Sequence, residues 1–428
     1  MRSVKKSLNL FQRACNVIPG GAQTFSKSSI QHIPGVSPLF LSRGKGSKVW
    51  DVDGNEYIDY IQGLLPNILG YANDEVNKAY LEQIEMGHSF SLAHPKEVIL
   101  AEKLQEIIPC AEMVRFGKNG SDATTGAIRI ARAFTKRNRI ACCGYHGWHD
   151  WFIGSTSRRC GVPVCVQELT HPFPYNRPDD LEKILNLYPK EFAAVILEPV
   201  NFEEPKPGYL NKIQEITKKH GALLIFDEVC TGFHFGLGGA QKHYGVIPDL
   251  ACFGKAMGNG FPISALVGKK DIMKKMTEIF FSFTFAGDIA AISAAIKVIE
   301  ILEKTDVLFQ MQKLGAFLKK ELNNIIAKEK MQERIRCRGF PSWSQIQFLN
   351  EKGETDLILR SLFQQEVVKK GILILTTHNI SGALNEHDIN KTLKVYTETI
   401  KQIAKWISDK NPKKYLEGPA IQQVFKVR

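Results

Sequence analysis

The chain has 428 residues, 56 Lys and Arg against 44 Asp and Glu, a formal net charge of +12 and 44% hydrophobic residues. That composition belongs to folded chains and is too apolar for a disordered one. No apolar stretch is long enough for a transmembrane helix, and no secretory-signal core follows the basic start, so a membrane protein and a secreted one are not expected.

The excess positive charge is scattered, with clusters at both ends (Lys5, Lys6; Lys410, Lys413, Lys414, Lys426). Scattered lysines read as a solvated surface rather than a nucleic-acid or membrane site, and they remain compatible with a small anionic substrate. The nine cysteines include no C-x₂-C pair. A zinc site or a disulfide framework is therefore not expected, and a reducing compartment such as the cytoplasm is.

In chain order, Leu8, Phe11, Ala14 and Val17 form a short amphipathic pattern that stops at Pro19-Gly20-Gly21. Two β-like runs then flank Asp53-Gly54-Asn55, which predicts a hairpin. From about residue 98 to 270, short apolar runs at 113–116, 139–142, 193–197, 222–226, 250–253 and 264–267 alternate with longer helix-like segments such as 123–133. Short buried strands alternating with helices predict an α/β domain with a mostly parallel sheet. After a helical run at 289–303, Lys/Glu-rich helices surround a few strands, at 344–349 and 372–375. This predicts a smaller α+β domain beginning near residue 305, closed by a loosely packed tail at 410–428.

Four places carry chemistry. Ala222-Leu223-Leu224-Ile225-Phe226-Asp227 is an unbroken apolar strand with an acid at its C-terminal end, where open α/β sheets keep their ligand crevice. Asp227 is thus a helix cap or a functional anion. Lys255 follows the next apolar run and Gly254 and precedes a glycine-rich turn. A lysine among apolar or charged groups can become an amine nucleophile able to form a Schiff base. Asn119-Gly120-Ser121-Asp122 stands between a strand and a helix. It is either an anion cradle at a helix N-terminus or a plain capped start. It is neither a Walker A loop nor a GxGxxG fingerprint. Tyr145-His146-Gly147-Trp148-His149 offers aromatics to stack on a planar ligand. Its two histidines have no evident third metal ligand, so no metal is expected.

An amine, an acid, a phosphate cradle and a stacking aromatic are the parts that hold pyridoxal phosphate, which supplies an electron sink. Val17-Ile18-Pro19-Gly20-Gly21, Trp50-Asp51-Val52-Asp53-Gly54-Asn55, Asn119-Gly120-Ser121-Asp122-Ala123-Thr124, Tyr145-His146-Gly147, Phe226-Asp227-Glu228-Val229, Leu237-Gly238-Gly239-Ala240-Gln241 and Phe253-Gly254-Lys255 occur in that order. In these motifs the chain resembles the class III aminotransferases of pyridoxal-phosphate fold type I, near the branch of glutamate-1-semialdehyde aminomutase, over about residues 9–406. The resemblance implies a seven-stranded-type sheet in a large cofactor-binding domain, 61–304. It also implies a small α+β domain, 305–428, joined by the N-terminal segment 1–60.

By the same resemblance, Lys255 would hold the cofactor and act as general base, and Asp227 would pair with the pyridine nitrogen. Tyr145 and Val229 would cover the two ring faces, and Gly120 and Ser121 would donate to the phosphate. His146 is grouped with the cofactor, and Glu198 is a further acid near it. Thr284 would reach the phosphate from the neighbouring subunit, which implies a homodimer with shared active sites. Gln23, Lys27, Trp148 and His234 are the substrate-side candidates.

The aminomutase pattern is broken in places. Lys27 stands where that pattern has a carboxylate-binding arginine, and lysine lacks the bidentate fork. His234 replaces another arginine, the segment 151–163 is shorter than the aminomutase gating loop, and the glutamate expected near 376–382 is not evident. These features favour ordinary two-substrate transamination, from an amino-acid donor such as L-glutamate to a carbonyl acceptor. Surface-polysaccharide or other sugar-linked pathways are the lead for that acceptor. The alternatives are an intramolecular aminomutase and a non-catalytic binding homologue, against which the intact Lys255 and Asp227 argue.

Overall fold

The computed structural model describes residues 2–409 and 411–424. They fall into two units. The first comprises residues 2–64, 68–73 and 307–424, and the second comprises Leu65–Asn67 and Asp74–Asp306.

The first unit contains β1 (Leu41–Lys45), β2 (Lys48–Asp51) and β3 (Glu56–Asp59). The hairpin expected at Asp53-Gly54-Asn55 joins β2 to β3, and the Asp51 carboxylate holds it by accepting the amides of Asp53 and Asn55. Such Asx-type bonds are why Asp and Asn favour turns.

The second unit supplies β4 (Met113–Gly117), β5 (Arg139–Cys143), β6 (Thr170–Pro172), β7 (Phe192–Leu197), β8 (Leu223–Asp227), β9 (Leu250–Phe253) and β10 (Ser264–Gly268). They pair in the order β4-β10-β9-β8-β7-β5-β6. The five strands from β9 to β6 run parallel, while β10 is antiparallel to both β9 and β4. Every residue of β7, β8 and β9 is buried. Strands covered on both faces must be apolar throughout, which is why these segments read as unbroken runs. The helix Gly120–Thr135 lays Ala127, Ile130 and Ala131 into the core formed with Ile196, Ile225 and Cys252.

The chain then returns to the first unit with β11 (Ile335–Phe340), β12 (Trp343–Phe348), β13 (Ile372–Leu373) and β14 (Thr377–Asn379). β13 joins β3 in parallel, and β11, β12 and β14 make an antiparallel sheet. Among the described residues no helix is long and apolar enough to cross a membrane.

The segment 410–428 departs from the expected loose tail. Lys410 and residues 425–428, including Lys426 of the basic cluster, lie outside the described residues. Residues 411–424 are docked. Ile421 is buried and its amide donates to Ser361 Oγ, the Gln422 amide donates to the Ile30 carbonyl, and Tyr415 stacks on Trp406. Prolines and lysines hid a segment that is held by backbone hydrogen bonds, a force that leaves no apolar pattern in the sequence.

Within the first unit the helix Val307–Lys328 passes close to the β11–β12 turn at Gly315, where an added Cβ would meet the Pro341 carbonyl oxygen at 2.0 Å. Ala is ordinarily better than Gly inside a helix by about 1 kcal/mol. Here the obstacle is backbone and cannot swing away. Gly315→Ala should therefore destabilise, by roughly 1–3 kcal/mol, seen as a lower thermal midpoint. A midpoint equal to the parent's or higher would show that the turn yields.

Candidate active site

The C-terminal ends of β5, β7, β8 and β9 deliver polar residues to one cavity of about 370 Å³ within the second unit. Its wall includes Gly120, Ser121, Tyr145, His146, Trp148, Glu198, Asp227, Val229 and Lys255. That volume is the size of a small-ligand or cofactor site.

Asp227 ends β8 and is buried. Its Oδ2 lies 2.8 Å from His146 Nδ1, and its Oδ1 accepts the Val229 amide at 3.1 Å. A carboxylate accepts only, so His146 carries its proton on Nδ1 and donates to it. Buried charges need such partners. His146, one of the expected cofactor contacts, lines the cavity, gives its Nδ1 to Asp227 and is buried beside Trp151 and Phe152. Its Nε2 is buried without a hydrogen-bond partner. Tyr145 is 45% exposed and meets Phe152 edge-on. It offers a ring face to the cavity, and Trp148, 67% exposed, is next along the wall.

The helix Gly120–Thr135 points its N-terminus at the same space. Asn119 and Asp122 form a capping box, and Asp122 Oδ2 accepts the amides of Lys118 and Asn119. The Ser121 hydroxyl accepts the Trp148 amide at 3.3 Å. Two glycines are required here. A Cβ on Gly147 (φ +100°) would meet Ser121 Oγ at 2.3 Å, and one on Gly120 would meet Val229 at 2.8 Å. Free amides and a hydroxyl at a helix start form a cradle for an anion.

Lys255 follows β9 and takes φ +42°, a left-handed conformation uncommon for a side-chain-bearing residue. Its Nζ donates to Cys230 Sγ at 2.6 Å. Burial works to lower its pKa, but Cys230, Glu198 and Asp227 together outweigh burial and leave it above the ordinary lysine value. Burial pushes the Cys230 thiol up to about 11. The sulfur is therefore neutral at pH 7, and the charges that act on Lys255 at that pH are the carboxylates.

Glu198, just past β7, accepts the Tyr145 amide at 3.1 Å. Burial, reinforced by the charge of Asp227, raises its carboxyl to about 7, against the pull of His146, Lys255 and that amide. Gly144 (φ +111°) must be glycine, because a Cβ there would meet Glu198 Oε2 at 2.4 Å.

Other candidates lie elsewhere. His234 is buried with Nε2 3.1 Å from the Leu65 carbonyl and does not line the cavity. Burial lowers its pKa to about 4, so it is neutral at pH 7. Thr284 sits on an exposed turn and is not part of this wall. Gln23 and Lys27 belong to the first unit, where the Lys27 amide closes a turn on Thr24 Oγ1. Among the described residues no group of three or more His, Cys, Asp and Glu could hold a metal ion. Sequence reading missed Cys230 and Lys118. Lys118 lines the wall, and its ammonium donates to Asp288 Oδ2 at 2.5 Å and to the Pro262 carbonyl. Cys230 had a signal, since it stands three residues after Asp227 just as Lys255 stands three after Cys252 on the neighbouring strand.

Comparison with known proteins points to one family. The family model described as aminotransferase class-III matches residues 31–409. The 3-aminobutyryl-CoA aminotransferase of Cloacimonas acidaminovorans (strain Evry) is 37% identical over 94% of this chain and 98% of its own length. The glutamate-1-semialdehyde 2,1-aminomutase of Methanosphaera stadtmanae is 35% identical over 91% and 96%. A structure of the FumI protein of Sphingopyxis sp. MTA144 in its PLP internal aldimine form superposes with a TM-score of 0.86 at 27% identity, covering 96% of this chain and all of that one.

The raised carboxyl of Glu198 has a consequence for stability. Its folded-state pKa lies above the unfolded one, so its contribution is fully present below about pH 4.5 and is lost as pH rises to about 7. Glu198→Gln keeps an acceptor for Tyr145 without the charge. In the cofactor-free protein it should flatten that decline and gain up to about 3 kcal/mol at pH 8. Denaturant titrations at pH 5 and pH 8 measure this; equal stability changes for parent and variant would remove Glu198 as the source.

Proposed function

The chain belongs to the class III aminotransferase family, and from that premise we propose that it transfers an amino group from an amino-acid donor to a carbonyl acceptor in two alternating half-reactions. It is an aminotransferase whose cofactor is pyridoxal phosphate. The observation that carries the residue-level reading is the meeting of the Lys255 amine, the Asp227 carboxylate and the helix start at Gly120 and Ser121 in one cavity. The residues fit the cofactor. The glycines at 120 and 147 keep the helix start open for its phosphate, and the half-exposed ring of Tyr145 offers it a face.

When bound, the cofactor supplies an electron sink for the substrate carbon that bears nitrogen. Everything else is the work of side chains. Lys255 holds the cofactor through Nζ and, once released, carries the proton to and from that carbon as general base. Asp227, fixed on both oxygens by His146 and the Val229 amide, would pair with the pyridine nitrogen. Ser121, Gly120 and the helix start bind the phosphate. Val229 and Tyr145 line the cavity and would cover the two faces of the ring. Glu198, its carboxyl raised to about 7 by burial, is only partly ionised at neutral pH, which lessens the negative charge beside Asp227.

The chain works as a homodimer in which Thr284 reaches the phosphate of the neighbouring subunit. Its place on an exposed turn between Phe280 and Phe285, 77% and 59% exposed, supports this. L-Glutamate is the proposed donor. The acceptor carries an anionic group, for which the net charge of +12 is the support. Sugar-linked carbonyls are one candidate class. The relative named 3-aminobutyryl-CoA aminotransferase adds acyl thioesters as another. Nine unpaired cysteines favour a reducing compartment such as the cytoplasm.

The segment after Asp150 supports transfer over intramolecular exchange. It folds as the short helices Asp150–Ile153 and Val164–Gln167, with Trp151, Phe152, Ser155 and Thr156 buried.

The test is the absorbance spectrum of the loaded protein before and after excess L-glutamate without acceptor. The visible band of the lysine-bound cofactor should vanish as 2-oxoglutarate appears in proportion. Lys255→Ala should lack the band and lose turnover. A band that glutamate leaves untouched excludes glutamate as donor; product formed with no 2-oxoacid release would favour the mutase; an unchanged band in Lys255→Ala would overturn the lysine.

A further inference from the structure

Strands β8 and β9 are adjacent and parallel, with Asp227 opposite Cys252. Three residues past that pair, in the turns beyond the two strand ends, come Cys230 and Lys255, and their side chains meet there. Both turns are tied to their surroundings. The Glu228 amide donates to the Cys252 carbonyl at 2.8 Å, tying the start of one turn to the neighbouring strand. The Glu228 carboxylate accepts the Thr231 hydroxyl and the amides of Ala240 and Gln241. Gly232 leaves no room to relax, because a Cβ there would meet Phe253 at 2.8 Å. On the other side Lys255 is locked at φ +42°. A neutral thiol therefore stands 2.6 Å from the Lys255 amine and lines the same cavity.

We propose that Cys230 is a positioning residue for Lys255, holding its amine in reach of the reacting carbon whenever that amine is not bonded to the cofactor. The inference rests on Lys255 being the cofactor lysine. A released lysine has four rotatable carbons and loses efficiency as a base unless something fixes its end. The other groups whose charge bears on it, Glu198, Asp227, Tyr145 and His234, give Lys255 no hydrogen bond; Cys230 does. As an acceptor, the sulfur also favours the protonated amine, against burial.

The experiment compares Cys230→Ala, which removes the acceptor, with Cys230→Ser, which keeps one. In the cofactor-free full chain, Lys255 is labelled by reductive methylation across a pH series and read by peptide mass spectrometry. In the loaded enzyme, kcat, KM and the pH profile of kcat are measured. Cys230→Ala should move the labelling midpoint to lower pH and reduce kcat roughly 10-fold or more with KM unchanged. Cys230→Ser should restore most of both. A Cys230→Ala protein that matches the parent in midpoint and in kcat overturns the proposal. So does a loss of kcat that serine fails to rescue and that follows a fall in thermal midpoint. Should borohydride reduction of the loaded parent give no cofactor adduct at Lys255, the functional reading fails, and the labelling midpoints alone still decide whether Cys230 holds the amine.

Discussion

The hydrogen bond between His146 and Asp227 is the constraint on which the rest of the site depends. β8 is apolar and buried to its last residue, so a carboxylate at its end is desolvated and must be paired. Only the neighbouring elements can provide the partner. His146 comes from the segment after β5, two strands away in the sheet, and its ring is wedged beside Trp151 and Phe152. Fixing one carboxylate thus requires the loop after β5 to fold one way. That fold in turn sets Tyr145 above the cavity and brings the Trp148 amide to Ser121.

The same constraint explains why polar residues collect on one edge. The interiors of β7, β8 and β9 admit no charge. Functional groups can stand only where the strands stop, and parallel strands stop together. Glu198, Asp227 and Lys255 each lie within two residues of a strand end for this reason. Glu198 bears the cost of standing there: burial, reinforced by the charge of Asp227, raises its carboxyl to about 7.

Much of this was legible in the chain itself. β7, β8 and β9 were visible because full burial leaves unbroken apolar runs, and Asp227 and Lys255 were visible because a charge ending such a run is conspicuous. Strand direction was not: the run at 264–267 looks like its neighbours, yet β10 is antiparallel, since an apolar run has no polarity. Pairings between distant segments were not legible either. Nothing in Tyr145-His146-Gly147 says that the histidine serves Asp227, and nothing near His234 says that its ring bonds to Leu65. Cys230 was overlooked because a single cysteine has no pattern. The docked segment 411–424 was misjudged because its attachment runs through backbone groups, which every residue carries alike.

The shape of the segment after Asp150 bears on the type of reaction. A mutase gains by retaining its intermediate, because losing it strands the cofactor in the wrong form; a mobile cover serves that end. A transaminase must instead release one product and admit a different molecule to the same cavity. Here the Ser155 and Thr156 hydroxyls bond back to Phe152 and Ile153, and Gly154 is so close to Asp150 and Gln167 that no larger residue fits without movement. A segment pinned to itself at this many points is poorly suited to opening and closing with each turnover. Meanwhile Trp148 and Tyr145 stand exposed on the cavity wall, ready to meet successive substrates. On the proposed reading, a pinned rim and an accessible wall suit an alternating two-substrate reaction.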